Sequence, residues 1–216
     1  MGLPEYERLA GVTARSTTAP NLTPIEESAA TGEVAELYEF FRSHFGRQQV
    51  PGILKCLATH PPLLRHMMAL SESLLFADGC LTRRHKEMIA TLVSTQNECP
   101  YCADSHGYFL RVHGGTAEAL MAIQLDRLDS PSLSGKERAL LEFARKVNRS
   151  SSEIGRADIE ALRHEGWSEE QIAEAIHVAA LFAMFNRVAN AFGLESQGLL
   201  KLYEASDSKT PNPART

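Results

Sequence analysis

TRRHKEMIATLVSTQN (Thr82–Asn97), followed at once by ECPYCADSHGYFLRVHGG (Glu98–Gly115), is the stretch whose reading decides the fold. In its first half Met88, Ile89, Leu92 and Val93 fall on one face at helical spacing. Thr82 can cap that helix, because its hydroxyl accepts from a free amide of the first turn, and the helix should end near Asn97. In the second half Pro100 suits the first helical position, where its missing N–H costs nothing, so Cys99 becomes the cap of a helix that runs to the Gly114-Gly115 break. Neither half alternates as a strand does.

The same period governs the flanks. Val34, Leu37, Tyr38 and Phe41 share one face, and a helix is expected from about Pro61 through Leu64, Met67, Met68 and Leu75 to a stop at Asp78-Gly79. Further helices are expected over residues 116–125, 134–149, 156–164 and 168–192, with Ser134 and Ser168 as caps. The expected class is therefore all-α. Residues 1–23 and 204–216 read as polar, proline-bearing tails around one helical domain, 24–203. Ile176 to Phe192 is apolar nearly all round, which suits either the central helix of a core or a subunit contact made by Phe182, Met184 and Phe185.

The chain also resembles itself. Leu81-Thr82 recurs as Leu133-Ser134, and Leu110-Arg111 with Gly114 and Glu118 recurs as Leu162-Arg163 with Gly166 and Glu170, always 52 positions on. Two packed helix-turn-helix copies give such a pattern, and so does coincidence, since the matches are sparse. Cys99, Cys102, His106 and Glu87 map onto Ser151, Ile154, Asp158 and Ala139, so a second copy would lack their chemistry.

Composition excludes several classes. Of 216 residues 44% are apolar and 23% charged, which is ordinary for a globular chain. A net charge of −5 with scattered Lys and Arg offers no basic stripe for nucleic acid. No stretch approaches the roughly 18 consecutive apolar residues of a membrane span, and the N-terminus lacks a basic flank with an apolar run, so a cytoplasmic protein is expected. Four cysteines, of which only Cys99 and Cys102 are close, do not make a disulfide framework. In a reducing compartment such a pair is redox-active or metal-binding, while Cys56 and Cys80 read as small buried hydrophobes.

A Cys-x-x-Cys at a helix start sets two sulfurs within disulfide reach, and the free amides there favour thiolate over thiol. A free cysteine titrates near about 8.5 and such sites fall to roughly 3.5–7.5. His106 lies four residues beyond Cys102, on the same face, where an imidazole can take and return a proton. Structural zinc is the rival reading, with Cys99, Cys102 and two of His106, His113 or a distant residue as ligands. His106 and His113 are seven apart, an uncommon ligand spacing. Tyr101 and Asp104 flank the cysteine pair and read as shaping and solvating the helix rather than taking part in the chemistry. His44, His60, His66, His85, His113, His164 and His177 have no partner pattern, although His177 lies on the apolar last helix and could face a pocket.

Glu87, eleven residues, Cys99-Pro-Tyr-Cys102, three residues and His106 resemble the pattern of the alkyl hydroperoxidase D-like (AhpD-like) proteins of the carboxymuconolactone decarboxylase superfamily, in their peroxidase-related branch. The helical context and the Asn186-Arg187-Val188-Ala189-Asn190 segment are similar too, so the likeness spans roughly residues 25–200. The resemblance implies an AhpD-like helical bundle and a thiol-dependent peroxidase or disulfide oxidoreductase. On it Cys102 is the attacking thiolate, and Cys99, nearer the surface, closes the disulfide and meets the reductant. Glu87 and His106 relay the proton. It implies no metal or organic cofactor, a hydroperoxide substrate, a dithiol reductant such as a lipoylated or thioredoxin-like protein, and a homo-oligomer (dimer, trimer or hexamer). Tyr101 stands where well-known members carry a histidine, and a phenol titrating near about 10 is a poorer base. A redox sensor or thiol-disulfide carrier without turnover is the alternative, and lactone decarboxylation a more distant one that does not depend on such a cysteine pair.

Overall fold

Residues 20–77 and 79–207 are described by the computed structural model; residues 1–19 and 208–216 of the expected tails, and Asp78 of the expected helix stop, lie outside the described residues. Ten α-helices and no strand occur among them: α1 (Gly32–Phe45), α2 (Gly52–Leu57), α3 (Pro61–Ser71), α4 (Arg83–Gln96), α5 (Pro100–Val112), α6 (Ala117–Gln124), α7 (Gly135–Arg149), α8 (Arg156–His164), α9 (Glu169–Phe192) and α10 (Leu199–Asp207).

The centre of the molecule is α4. The sequence marks one apolar stripe on it, yet every residue from Lys86 to Ser94 is buried, because α5, α7 and α9 pack around it. Buried polar groups persist only with partners, and each polar residue of that run has one. Lys86 Nζ meets Glu174 Oε1 of α9 at 2.8 Å, and Glu87 binds Arg83 and His106. Thr91 donates to the Glu87 carbonyl at 2.8 Å, and Ser94 Oγ accepts from Asn186 of α9 at 3.0 Å.

The internal likeness reappears as matched boundaries. Thr82 and Ser134 both accept from the third amide of the helix they cap, as do Thr116 and Ser168. Gly114 and Gly166 both turn the chain with left-handed backbone, at φ 86° and 82°. Gln96 and Asn148, equivalent under the 52-residue offset, hydrogen-bond to each other at 3.3 Å where α4 meets α7, as expected when two copies face one another across a twofold. The second copy has spent its equivalent of His106 on structure: Asp158 accepts from Gly155 N and pairs with Lys146.

Three elements depart from the sequence reading. Helix α3 does not continue regularly to residue 78 but passes into a π turn, Glu72–Phe76, closed by Ala77 N donating to Glu72 O at 2.7 Å. Helix α2 is too short to show a period, and α10 runs across the expected 203/204 boundary. Helix α9 packs along α4 and α7, and of the three residues expected at a subunit contact Phe182 and Phe185 are buried and Met184 is half-buried, while His177 is exposed and does not line the cavity beside the cysteines. By length and composition α9 is nevertheless long and apolar enough to cross a membrane, with mean hydropathy 1.4 over 18 residues although no apolar run in it is unbroken over that length; half of those residues are buried within the fold.

Candidate functional site

Glu87 is fully buried on α4 and turns its two carboxyl oxygens to a guanidinium and an imidazole. Arg83, one turn earlier, donates to Oε1 at 2.6 Å, and His106 Nδ1 of α5 approaches Oε2 at 2.7 Å. Burial alone pushes this carboxyl up, but the charge and hydrogen bond of His106, reinforced by Arg83, outweigh it and hold Glu87 below the usual carboxylate range. The histidine ring is held edge-on by Phe182 of α9, with centroids 4.4 Å apart. With Nδ1 given to a carboxylate, Nε2 is left for whatever approaches.

Cys99 and Cys102 sit at the start of α5 in a small cluster with Tyr101 and Ala189, closed by Ile53 and Leu194. Cys99 is not nearer the surface. It is 1% exposed and Cys102 3%, because α9 covers the cap position of α5. Thiolate character also falls on Cys99: the Cys102 thiol donates to its sulfur, which outweighs burial, and the Cys102 amide, the Asn186 side chain and the Tyr101 amide add to this. Those amides face the sulfur without closing a formed cap bond. The same contact with Cys99, together with burial, holds Cys102 well above the ordinary thiol range. The pair thus titrates as one coupled unit, in which Cys99 gives up its proton more readily than Cys102.

Asn186 anchors this arrangement from α9. It is fully buried, donates to Ser94 Oγ at 3.0 Å and accepts from Asn97 Nδ2 at 3.0 Å. Tyr101 is turned away from acid–base work. Its hydroxyl accepts from the free Ile53 amide of α2 at 3.4 Å, and burial pushes its pKa up to about 12. Asp104 likewise serves the fold, accepting from the Leu199 and Leu200 amides of α10 at 3.0 Å.

A cavity of about 120 Å³ opens over these residues. Tyr101, Cys102, Ser105 and His106 form one wall; the rest is mainly Phe41, Phe45, Met68, Leu75, Phe76, Phe109, Phe182 and Phe185, with Arg47 and Gln197. The π turn supplies Leu75 and Phe76 to it, as such turns often do at functional sites. Cys99 is not in the lining, so a molecule in the cavity meets Cys102 first.

Among the described residues no group of three or more His, Cys, Asp and Glu is placed to hold a metal ion, and His113 does not join the pair. Of the isolated cysteines, Cys56 is buried, with its pKa pushed up to about 12 chiefly by burial, whereas Cys80 is exposed on the turn before α4 rather than packed inside.

Comparison with known proteins places these features in a lineage. The Carboxymuconolactone decarboxylase family signature matches residues 61–146, the segment that carries Glu87, Cys99, Cys102 and His106. A peroxidase-related protein from Silicibacter sp. TM1040, of known structure, is 30% identical with a TM-score of 0.67, over 82% of this chain and 88% of its own. The chain belongs to the carboxymuconolactone decarboxylase superfamily, as an AhpD-like member. A second peroxidase-related AhpD-like structure, from Ralstonia eutropha JMP134, is 28% identical with a TM-score of 0.75 over 86% of this chain and 96% of its own. Alkyl hydroperoxide reductase Rv2159c of Mycobacterium tuberculosis is 36% identical over 105 residues, which is 47% of this AhpD-like chain and 29% of that protein. The chain spans less than half the length of the curated relatives it matches.

The four residues of the motif are thus brought to two adjoining places, Glu87 with His106 and Cys99 with Cys102, and one cavity touches both through His106 and Cys102. Motif reading missed Arg83 and Asn186. Arg83 had a signal, an opposite charge four residues from Glu87 on one helix. Asn186 had another, its place in the family-like Asn186-Arg187-Val188-Ala189-Asn190 segment within the mainly apolar run from Ile176 to Phe192.

Proposed function

We propose that this AhpD-like protein is a thiol-dependent peroxidase that reduces organic hydroperoxides at Cys102. The observation that carries the reading is the cavity: apolar over most of its wall, it has a thiol and a carboxylate-held imidazole together on one side. An alkyl group fits such a wall, and a hydroperoxyl group fits the polar side.

In the first step Cys102 sulfur attacks one peroxide oxygen, the O–O bond breaks, and the alcohol leaves with a proton supplied by His106. The thiol proton of Cys102 passes to its partner Cys99 or to His106, and Glu87 steadies the imidazolium. The sulfenic acid on Cys102 then condenses with the Cys99 thiol, releasing water and forming the disulfide. The balance is one hydroperoxide and two thiols giving one alcohol, one water and one disulfide. A dithiol carrier, lipoylated or thioredoxin-like, restores both thiols. Because Cys99 is covered and Cys102 borders the cavity, the carrier's thiolate attacks Cys102 and expels Cys99, whose depressed pKa makes it the better leaving group. This reverses the order in which the resemblance has Cys99 meet the reductant. The chemistry calls for no metal or bound organic cofactor. The assembly we envisage is a homo-oligomer in the cytoplasm.

Coupled turnover of an organic hydroperoxide with a dithiol tests this. Cys102→Ser should abolish turnover, and unchanged turnover in that variant would refute the reading. A redox sensor or carrier is the second reading, favoured by the contact with Cys99 and the burial that hold the Cys102 thiol above its ordinary pKa. A reversible loss of two hydrogens by mass, with no hydroperoxide consumed, would select it.

A further inference from the structure

Arg47 follows the left-handed Gly46 that ends α1, and it is exposed where the cavity opens. Its guanidinium carbon lies 5.1 Å from the centroid of Phe109, whose ring neighbours His106. The other guanidinium over that ring, Arg83 at 5.8 Å, is neutralised by Glu87. Arg47 makes no ion pair among the described residues, and no carboxylate lines the cavity. The Glu87 carboxylate is thus taken up by Arg83 and His106, and no carboxylate among the described residues offsets Arg47. An uncompensated cation at the mouth of an apolar chamber is a recognition element for an anion attached to an apolar body.

We propose that the substrate is the hydroperoxide of a compact carboxylic acid, an apolar body of about one ring with its carboxylate on Arg47 and its hydroperoxyl group at Cys102. The chamber sets an upper bound on size, since at about 120 Å³ it is somewhat smaller than the apolar cavity of about 150 Å³ that accepts benzene, so no more than one ring fits inside and the carboxylate lies outside on the exposed Arg47. The inference rests on the peroxidase reading: the bound acid's hydroperoxyl group becomes the alcohol with release of one water, Cys99 and Cys102 become the disulfide, and an external dithiol restores them. Arg47 selects the substrate and takes no part in the bond changes.

The test compares the hydroperoxide of 4-isopropylbenzoate with that of its methyl ester in the full-length protein. Wild type should prefer the acid about tenfold in kcat/KM, through KM, as expected of one charged hydrogen bond at a partly open site. The preference should shrink as salt is raised. Arg47→Gln should bring the acid-to-ester ratio close to one, and Arg47→Lys should retain part of the preference. Equal rates for acid and ester in the wild type, or an undiminished preference in Arg47→Gln, overturn the proposal. If neither hydroperoxide is consumed, the peroxidase reading falls, and binding of unreactive 4-isopropylbenzoate against its methyl ester by calorimetry decides the pocket separately. Acid-selective binding that Arg47→Gln abolishes sustains the recognition site. Absence of such binding removes it.

Discussion

Asn186 links α9 to the cysteine pair, and its removal separates two effects. Asn186→Ala withdraws an amide from the Cys99 sulfur, so thiolate absorbance followed against pH should show the low-titrating thiol moving upward. It also leaves Ser94 and Asn97 short of a partner, at about 1–3 kcal/mol of stability by denaturant titration. Glu87→Ala is the harsher change. It strands Arg83 and His106 around a dry space, and a loss of about 3 kcal/mol is expected in the same measurement, together with slower turnover. At this scale the sequence supplied the four motif residues by spacing. Their environment was less legible: that Cys99 is the covered, thiolate-favoured sulfur depends on a helix some ninety residues further along.

Among the elements, regular helices with polar caps were the readable ones. Ser134 and Ser168 each close a capping box, as their position before an apolar period suggests, and Ser134→Ala should lower stability by about 1 kcal/mol. The π turn and α2 were not readable, since five or six residues do not complete two helical turns and leave no period to detect. Yet these irregular pieces shape the cavity wall. The turn that follows the π turn is tightly fitted: a Cβ on Gly79 would collide with the Glu174 carboxylate and stand 2.9 Å from Lys86 Nζ. Gly79→Ala should therefore displace the ends of the Glu174 and Lys86 side chains and, since these can give way in part, cost about 1 kcal/mol, seen as a lowered denaturation midpoint.

For the whole molecule, acid should weaken the fold in two stages. Burial holds His85 below its ordinary value, so the unfolded chain takes up that proton more readily, and stability begins to fall as pH drops through about 6.5. Glu87 and Glu137 follow. Both are held below the carboxylate range despite burial, Glu87 by His106 and Arg83, Glu137 by Ser134 and Arg84. Their contribution is complete above the unfolded carboxylate pKa near about 4.5 and is lost as pH falls through the lower folded values. Denaturant midpoints measured from neutral to acid pH should decline throughout, and a midpoint that rises on acidification would contradict these assignments. The repeat was legible at this scale because caps and left-handed glycines recur at one offset. How its halves meet was not, since Gln96 and Asn148 are unremarkable polar residues until α4 is laid against α7.

A thiolate that is held by a neighbouring thiol, an asparagine amide and two backbone amides gives up those contacts when it becomes half of a disulfide. The reduced form is the one so stabilised, which places the couple toward the oxidising end of the reduction-potential scale. Equilibration of the Cys99–Cys102 pair against glutathione should show it reduced at ratios that leave an ordinary structural disulfide intact, and Asn186→Ala should shift the potential downward. A protein poised in this way is recharged readily by a weak dithiol donor, and its resting state in a reducing compartment is the dithiol that meets the next substrate.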